Sequence, residues 1–154
     1  PLRTCVSEIF NNIRDHAGVD AGSIFAQWYP QKEQLEFTVG DFGAGIPSNV
    51  LTLFPHLDSS DAIVKAFEYG FSTKGNPRNR GAGLNFLRET VIDSLGGSIK
   101  VVSGGGSTTS DFAGKIVPAN LNLGNSGYAG TLIEIVLPTS GIDVYEPEVE
   151  DEIW

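Results

Sequence analysis

Apolar residues recur along the chain with two different periods, and each period predicts a different kind of element. In the first segment, residues 4–17, the apolar positions are Val6, Ile9, Phe10, Ile13 and Ala17. Residues spaced three and four apart lie on one face of an α-helix, so this segment is predicted to be a helix with one buried face.

Other segments are short and rich in β-branched and aromatic residues, which is typical of strands. SIFAQWYP and LEFTVGD are separated by the polar turn QKEQ and predict a hairpin over about residues 22–41. SIKVVS and TLIEIVLP predict two further strands. Between these two strands lies a stretch rich in Gly, Ser and Asn, residues 104–130, which we expect to be mobile and in which FAGKIVP is a candidate short strand.

Three more helices are predicted from caps and periodicity. SNVLTLF is a short candidate capped by Ser48, and SDAIVKAFEYG is a second, begun by Ser60 or Asp61 and ended by Gly70. LNFLRETVIDSLGG has apolar residues at helical spacing and stops at its paired glycines. The order of elements predicts an α/β (α+β) two-layer sandwich, with a mixed, mostly antiparallel sheet covered on one face by helices.

Composition narrows the class of protein. A chain of 154 residues is about one domain, and its formal net charge of −9 argues against a nucleic-acid partner. The single cysteine, Cys5, allows no internal disulfide, so we expect a reducing, cytoplasmic location. No apolar run is long enough to span a membrane. Because the chain starts with proline and contains no methionine, we expect it to be a piece of a longer protein.

The stretch FSTKGNPRNRGAGLNFLRE combines glycines and basic residues in front of a predicted helix. It matches neither the Walker A loop nor the GxGxxG dinucleotide fingerprint. Gly81 and Gly83 still allow backbone N–H groups to approach a ligand, and the helix that follows presents its positive end. The residues alone therefore leave two interpretations, an anion-binding loop and a flexible basic surface loop.

Two other polar patterns stand out. Glu8, Asn12 and His16 recur every four residues on the first predicted helix and form one stripe beside its apolar face. In VGDFGAGIP, Asp41 ends a predicted strand directly before two glycines. Turn chemistry explains the glycines, but it does not explain a carboxylate at the strand end, which could accept the amino group of an adenine.

Taken together, EIFNNIRDHA, DFGAGIP and RGAGL resemble, in this order, the N, G1 and G2 boxes of the GHKL ATPases, the family of gyrase, heat-shock chaperones, histidine kinases and mismatch-repair proteins. GTLIEIVLP resembles the closing strand of the same domain. The resemblance covers about residues 6–138. It implies the Bergerat ATP-binding fold, with a histidine-kinase-like ATP-binding domain over residues 1–140. Residues 141–154 are predicted to be an acidic tail, either a solvated linker or a docking strip, and we favour the linker.

The resemblance also implies site residues. Asn12 would coordinate a Mg²⁺ ion held by the triphosphate, Glu8 would orient or deprotonate the attacking group, and Asp41 would accept the adenine amino group. The other implied nucleotide-binding residues are His16, Gly43, Gly45, Ile46, Thr73, Lys74, Arg80, Gly81, Gly83, Leu84 and Thr131. The glycines would make room for the base and the phosphates, and the hydroxyl and cationic side chains of the lid would contact phosphate. Thr131 would complete the adenine site, often through water. A role near phosphate and a hydrogen-bonded place at the helix end are equally open for His16.

The implied function is a Mg-ATP-binding catalytic domain that hydrolyses ATP or transfers its γ-phosphate to a protein, as a kinase in histidine-kinase-like signal transduction. The expected partners are ATP and a protein phosphoacceptor or regulated partner. An anti-sigma-type serine kinase and a nucleotide-gated interaction module with little turnover are the alternatives. A third is a chaperone or topoisomerase ATPase module, which usually requires dimerisation and further domains. Neither His16 nor His56 lies in the context of an autophosphorylation site.

Overall fold

The computed structural model describes residues 22–71, 83–121 and 127–141, together with Ser7. The described strands form one six-stranded sheet in the order β1-β2-β6-β3-β4-β5. Their bounds are β1 Gly22–Tyr29, β2 Gln34–Asp41, β3 Ser98–Gly104, β4 Gly106–Ser110, β5 Ile116–Asn120 and β6 Tyr128–Pro138. Every pairing in this described sheet is antiparallel. The predicted α+β architecture is confirmed, with an antiparallel rather than a mixed sheet.

The predicted hairpin over residues 22–41 is confirmed. β1 pairs with β2 from Gly22↔Asp41 at the open end to Tyr29↔Gln34 at the turn. A short 3-10 turn, Pro30–Lys32, joins them, and Glu33 closes it in the left-handed region with a φ of 50°. Asp41, the last residue of β2, therefore lies at the open end of the hairpin, opposite to this turn.

The described helices are α1 Ile46–Val50, α2 Ser59–Ala66 and α3 Gly83–Glu89. Both predicted N-caps were wrong. α1 begins before Ser48, because Pro47 occupies its first turn and the Ser48 hydroxyl donates to carbonyls upstream. α2 is capped by Asp58, whose carboxylate accepts a hydrogen bond of 2.8 Å from the Asp61 N–H.

The ends of two predicted helices also differ from the structure. α2 stops at Ala66 rather than at Gly70. The segment predicted as one helix from residue 84 is α-helical only to Glu89 and continues as a π-helical turn over Thr90–Ser94. In that turn the Leu95 N–H donates to the Thr90 carbonyl, 3.1 Å away, five residues back. Of the first predicted helix, residues 4–17, only Ser7 is described, and it is helical.

The core lies between the helices and one face of the sheet. Along β3, Ile99 and Val101 are buried while Lys100 between them is exposed, the alternation expected of a sheet with one covered face. The buried cluster consists of Phe37, Val39, Ile63, Phe67, Leu87, Val91, Ile92, Leu95, Ile99, Val101, Ile133, Ile135 and Leu137. Among the helices of the described residues, none is both long and apolar enough to span a bilayer.

The stretch over residues 104–130 was expected to be mobile, but its described part forms two paired strands, β4 and β5, that widen the sheet. The short strand suggested by FAGKIVP is β5. β4 packs against α2 so closely that a Cβ on Gly106 would lie 2.5 Å from the Ser60 nitrogen. The Asn120 amide, at the end of β5, donates to the Asp58 carboxylate over 2.7 Å. These contacts hold the two strands against the helical layer.

Candidate nucleotide-binding site

Asp41 ends β2 with its side chain buried. It is 3% exposed, and it follows Phe37 and Val39 on the core-facing positions of the strand. One carboxylate oxygen, Oδ1, accepts a hydrogen bond of 2.7 Å from the backbone N–H of Gly43. Among the hydrogen bonds between described residues, none uses the other oxygen. The end of the strand therefore presents a buried acceptor that is fixed on one side only.

Two glycines bring other backbone segments against Asp41. Gly45 has a φ of +76° and Gly130 a φ of +90°, a region that other residues rarely adopt. A Cβ on Gly130 would overlap the Asp41 backbone and would lie 2.7 Å from Asp41 Oδ1, and a Cβ on Gly45 would lie 2.9 Å from the Gly130 carbonyl oxygen. The glycine turn after β2 and the start of β6 therefore meet at distances that only glycine permits.

Ser103, on β3, joins these segments. It is fully buried, and its hydroxyl donates to the Gly130 carbonyl over 2.6 Å and accepts a hydrogen bond of 2.9 Å from the Ile46 N–H. The Thr131 hydroxyl lies 3.3 Å from the same oxygen. Neither Ser103 nor Gly130 was predicted to be a site residue, although Gly130 opens the motif GTLIEIVLP. The available signal for Ser103 was a small polar residue at the next inward position after Ile99 and Val101.

On the open side of the same strand end, Tyr128 stacks against Phe42 with ring centroids 6.1 Å apart. A Cβ on Gly40 would lie 3.1 Å from the Tyr128 hydroxyl, so the phenol lies close over β2. Burial of the phenol and the negative charge of Asp41 both raise the pKa of Tyr128. The phenol therefore stays neutral beside the carboxylate.

The structure brings five of the proposed nucleotide-binding residues close together, where β2 ends and β6 starts. They are Asp41, Gly43, Gly45, Ile46 and Thr131. Gly83 and Leu84 form the first turn of α3, and the side chains of Ile46 and Leu84 pack against the core. Both glycine boxes are thus anchored by an apolar residue that follows the last glycine.

The remaining candidates lie outside the described residues. They are Glu8, Asn12, His16, Thr73, Lys74, Arg80 and Gly81. Within residues 22–71, 83–121 and 127–141 no group of three His, Cys, Asp or Glu side chains is arranged to hold a metal ion. His56 lies in the loop between α1 and α2, edge-on to Phe54 with ring centroids 6.4 Å apart.

Comparison with known proteins identifies the family. Residues 1–140 match the model of the histidine kinase-, DNA gyrase B-, and HSP90-like ATPases. The chain belongs to this family. It is a GHKL-type ATP-binding domain, and the resemblance found in the sequence boxes is confirmed.

The domain is also similar to a solved structure, the ATPase region of Saccharomyces cerevisiae topoisomerase II bound to ICRF-187 (dexrazoxane). The sequences are 14% identical, the TM-score is 0.46, and the alignment covers 90% of this chain. This chain spans 38% of the length of that one. Among curated proteins, none is similar enough to this chain to count as a relative.

GHKL domains generally bind Mg-ATP, and the described residues fit the adenine part of that ligand. Asp41 supplies a buried acceptor with a free oxygen among the described residues, and Gly45 keeps the neighbouring turn free of a side chain. The residue proposed for the metal, Asn12, lies outside the described residues, so this fit concerns the base alone.

Proposed function

We propose that this GHKL domain binds Mg-ATP with the adenine amino group on Asp41 and passes the γ-phosphate to a protein acceptor or to water, in histidine-kinase-like signalling. The observation that supports this proposal best is the buried Asp41 carboxylate, held by Gly43 through one oxygen. In the same proposal, residues 1–140 are the ATP-binding unit, residues 141–154 are an acidic linker, and the protein works in the cytoplasm.

The chemistry of Asp41 favours adenine over guanine. A carboxylate only accepts hydrogen bonds, and the exocyclic amino group of adenine only donates them in the plane of the ring. Guanine carries a carbonyl oxygen at that ring position, which would face the carboxylate as a second acceptor. Because Asp41 is buried, an unmatched acceptor pair there would not be relieved by water.

We assign the phosphate chemistry to residues of the N box and the lid. Asn12 would hold the Mg²⁺ ion, which neutralises charge on the triphosphate when it is bound. Glu8 would take the proton of the attacking hydroxyl or water, or orient an imidazole acceptor, as the new bond to the γ-phosphorus forms and ADP leaves. Thr73, Lys74 and Arg80 would contact the phosphates from the lid.

A second candidate is an anti-sigma-type serine kinase. One observation favours it: the connection between β3 and β6 contains the strands β4 and β5 instead of the tight turn typical of histidine kinases. The two candidates share the ATP site and differ in the acceptor side chain. The stability of the phosphorylated product separates them, since phosphohistidine is lost in acid and phosphoserine is not.

The test is steady-state phosphate release, together with transfer of labelled γ-phosphate to copurifying proteins. We expect turnover in the wild type and a fall of about 10²-fold or more in Glu8→Gln, with ATP affinity nearly unchanged. Glu89→Gln is the matched control, because Glu89 is exposed at the end of α3. Unchanged turnover in Glu8→Gln would remove the assignment of Glu8. Neither release nor transfer in the wild type would favour a nucleotide-gated interaction module.

A further inference from the structure

The contacts of the Ser103 hydroxyl determine which way the neighbouring hydroxyl points its proton. A serine hydroxyl has one proton to donate and two lone pairs to accept with. The Ile46 N–H can only donate, so its 2.9 Å contact occupies one lone pair. The Gly130 carbonyl can only accept, so its 2.6 Å contact takes the proton.

The third contact is thereby fixed. Thr131 Oγ1 lies 3.3 Å from Ser103 Oγ, and only a lone pair of Ser103 remains for it. A hydrogen bond between the two hydroxyls therefore runs from the Thr131 O–H to Ser103 Oγ, and it leaves the lone pairs of Thr131 for any other partner. Asp41 beside it also offers an acceptor, the oxygen that the Gly43 N–H does not use. The two side chains at the base site therefore both present acceptors.

We propose that Ser103 is a positioning residue that sets the hydrogen-bond polarity of the base site, so that the site selects a purine with an amino group at position 6 over one with a carbonyl there. This inference rests on the proposed function, because it takes Asp41 and Thr131 as the residues that face the base. Ser103 itself is fully buried and acts through its neighbours. It does so by holding the Ile46 and Gly130 backbones in place and by orienting the Thr131 hydroxyl.

A purely structural role for Ser103 leads to a different expectation. Removing the hydroxyl leaves the partly buried Ile46 N–H and the buried Gly130 carbonyl without this partner, which lowers stability in either case. If Ser103 only supported the fold, its loss would weaken all purine nucleotides by the same factor. If it sets polarity, its loss frees the Thr131 hydroxyl to donate to a 6-carbonyl, and the preference among nucleotides changes.

The experiment compares the dissociation constants of ATP and inosine triphosphate, measured by calorimetry. ITP has a carbonyl at position 6 and a proton on N1, where ATP has an amino group and an unprotonated nitrogen, so the two nucleotides present opposite hydrogen-bond polarity along this edge. We expect wild type to bind ATP at least about tenfold more tightly, and the ITP-to-ATP ratio to fall at least about fivefold in Ser103→Ala. Ser103→Cys keeps nearly the same volume with a much weaker hydrogen bond, and it replaces Ser103→Ala if that variant does not fold.

Ser107→Ala is the matched control. Ser107 is also buried, but it lies opposite Val102 on β3 and contacts the Ala119 carbonyl over 3.5 Å, away from the glycine turn. The ratio of the ITP and ATP dissociation constants in Ser107→Ala should equal the wild-type ratio. A wild-type preference for ATP that persists unchanged in the folded Ser103 variant would overturn the role of Ser103 and leave the proposed function standing. Equal affinity of the wild type for ATP and ITP would overturn the recognition of adenine by Asp41, and with it the proposed role of Ser103.

Discussion

The carboxylate of Asp41 and the backbone N–H of Gly43 are joined by a hydrogen bond of 2.7 Å across the turn that ends β2. This contact holds one oxygen of a side chain that is 3% exposed. A rotamer fixed in this way loses little entropy on binding a base. Asp41 is therefore the residue at which the proposed recognition of adenine is most open to test.

Asp41→Asn should weaken ATP binding by roughly 10- to 100-fold, which is about 1.5–3 kcal/mol for a charge-assisted hydrogen bond. The amide keeps an oxygen for the Gly43 N–H but points its NH₂ group at the adenine amino group. Calorimetric titration in Mg²⁺ measures the loss. Asp111→Asn is the control, because Asp111 also accepts a hydrogen bond from the N–H two residues on, in an exposed turn away from the site. Equal ATP affinity in wild type and Asp41→Asn would exclude the assignment.

Gly130→Ala should destabilise the domain by about 3 kcal/mol, roughly one from the left-handed φ and two from overlap with the Asp41 backbone. Gly70→Ala separates the two causes. Gly70 has a φ of +76°, and no atom of the described residues lies within 4 Å of its Cβ position, so we expect only the strain, about 1 kcal/mol. Urea unfolding of both variants measures the difference. Equal losses of stability in Gly130→Ala and Gly70→Ala would contradict the close approach of Gly130 to Asp41.

Asp58→Ala should cost about 1 kcal/mol of stability at pH 7, because it removes the N-cap of α2. Hydrogen bonds from the Asp61 N–H and from the Asn120 and Ser60 side chains lower the pKa of Asp58 below its ordinary value of 3.8. A lowered pKa in the folded state gives stability that is fully present above 3.8 and is lost as the pH falls through the folded value.

The gap in unfolding free energy between wild type and Asp58→Ala should therefore shrink at pH values below 3.8. Urea unfolding at a series of pH values measures it. Asp58→Asn retains a good cap and should lose less at neutral pH. A gap that stays constant down to the acid transition would contradict the capping geometry.

Arg88 on α3 links that helix to the turn between β4 and β5. Its guanidinium donates to the Ser110 hydroxyl over 3.2 Å and to the Gly114 carbonyl over 3.0 Å. Arg88→Ala should cost about 1–2 kcal/mol and speed hydrogen exchange of the amides in residues 111–115. Arg88→Lys keeps the charge without the two-pronged geometry and should recover less than half of the protection. Unchanged exchange in Arg88→Ala would show that the turn is held by other contacts.

The periodic parts of the fold were predictable from the sequence. The hairpin, β3, β6 and the buried face of α3 all follow from the spacing of apolar residues, such as Leu84 and Leu87 in α3. The helix caps were not. Several Ser and Asp residues compete at the start of α2, where Asp58 is the cap, and α1 begins after Gly45, upstream of the expected Ser48. β4 was missed since GSTTS has no apolar alternation, and it becomes a strand through pairing with β3.

The residues of the candidate site were likewise only partly predictable from the sequence. Asp41 and Gly45 lie in one short motif and could be proposed from sequence. Ser103 could not, because its role depends on contacts between distant segments: Ile46 and Ser103 are 57 residues apart in the chain. The role of Ser103 can be recognised only in the folded sheet, where its hydroxyl contacts the Ile46 N–H and the Gly130 carbonyl.

The most direct test of the central claim is a crystal structure of the domain with Mg²⁺ and a non-hydrolysable ATP analogue, and the quantity to measure is the distance from the adenine amino nitrogen to the Asp41 carboxylate. We expect a hydrogen bond of about 2.7–3.2 Å. A nucleotide whose adenine lies elsewhere, with the Asp41 carboxylate not contacting it, would contradict the claim.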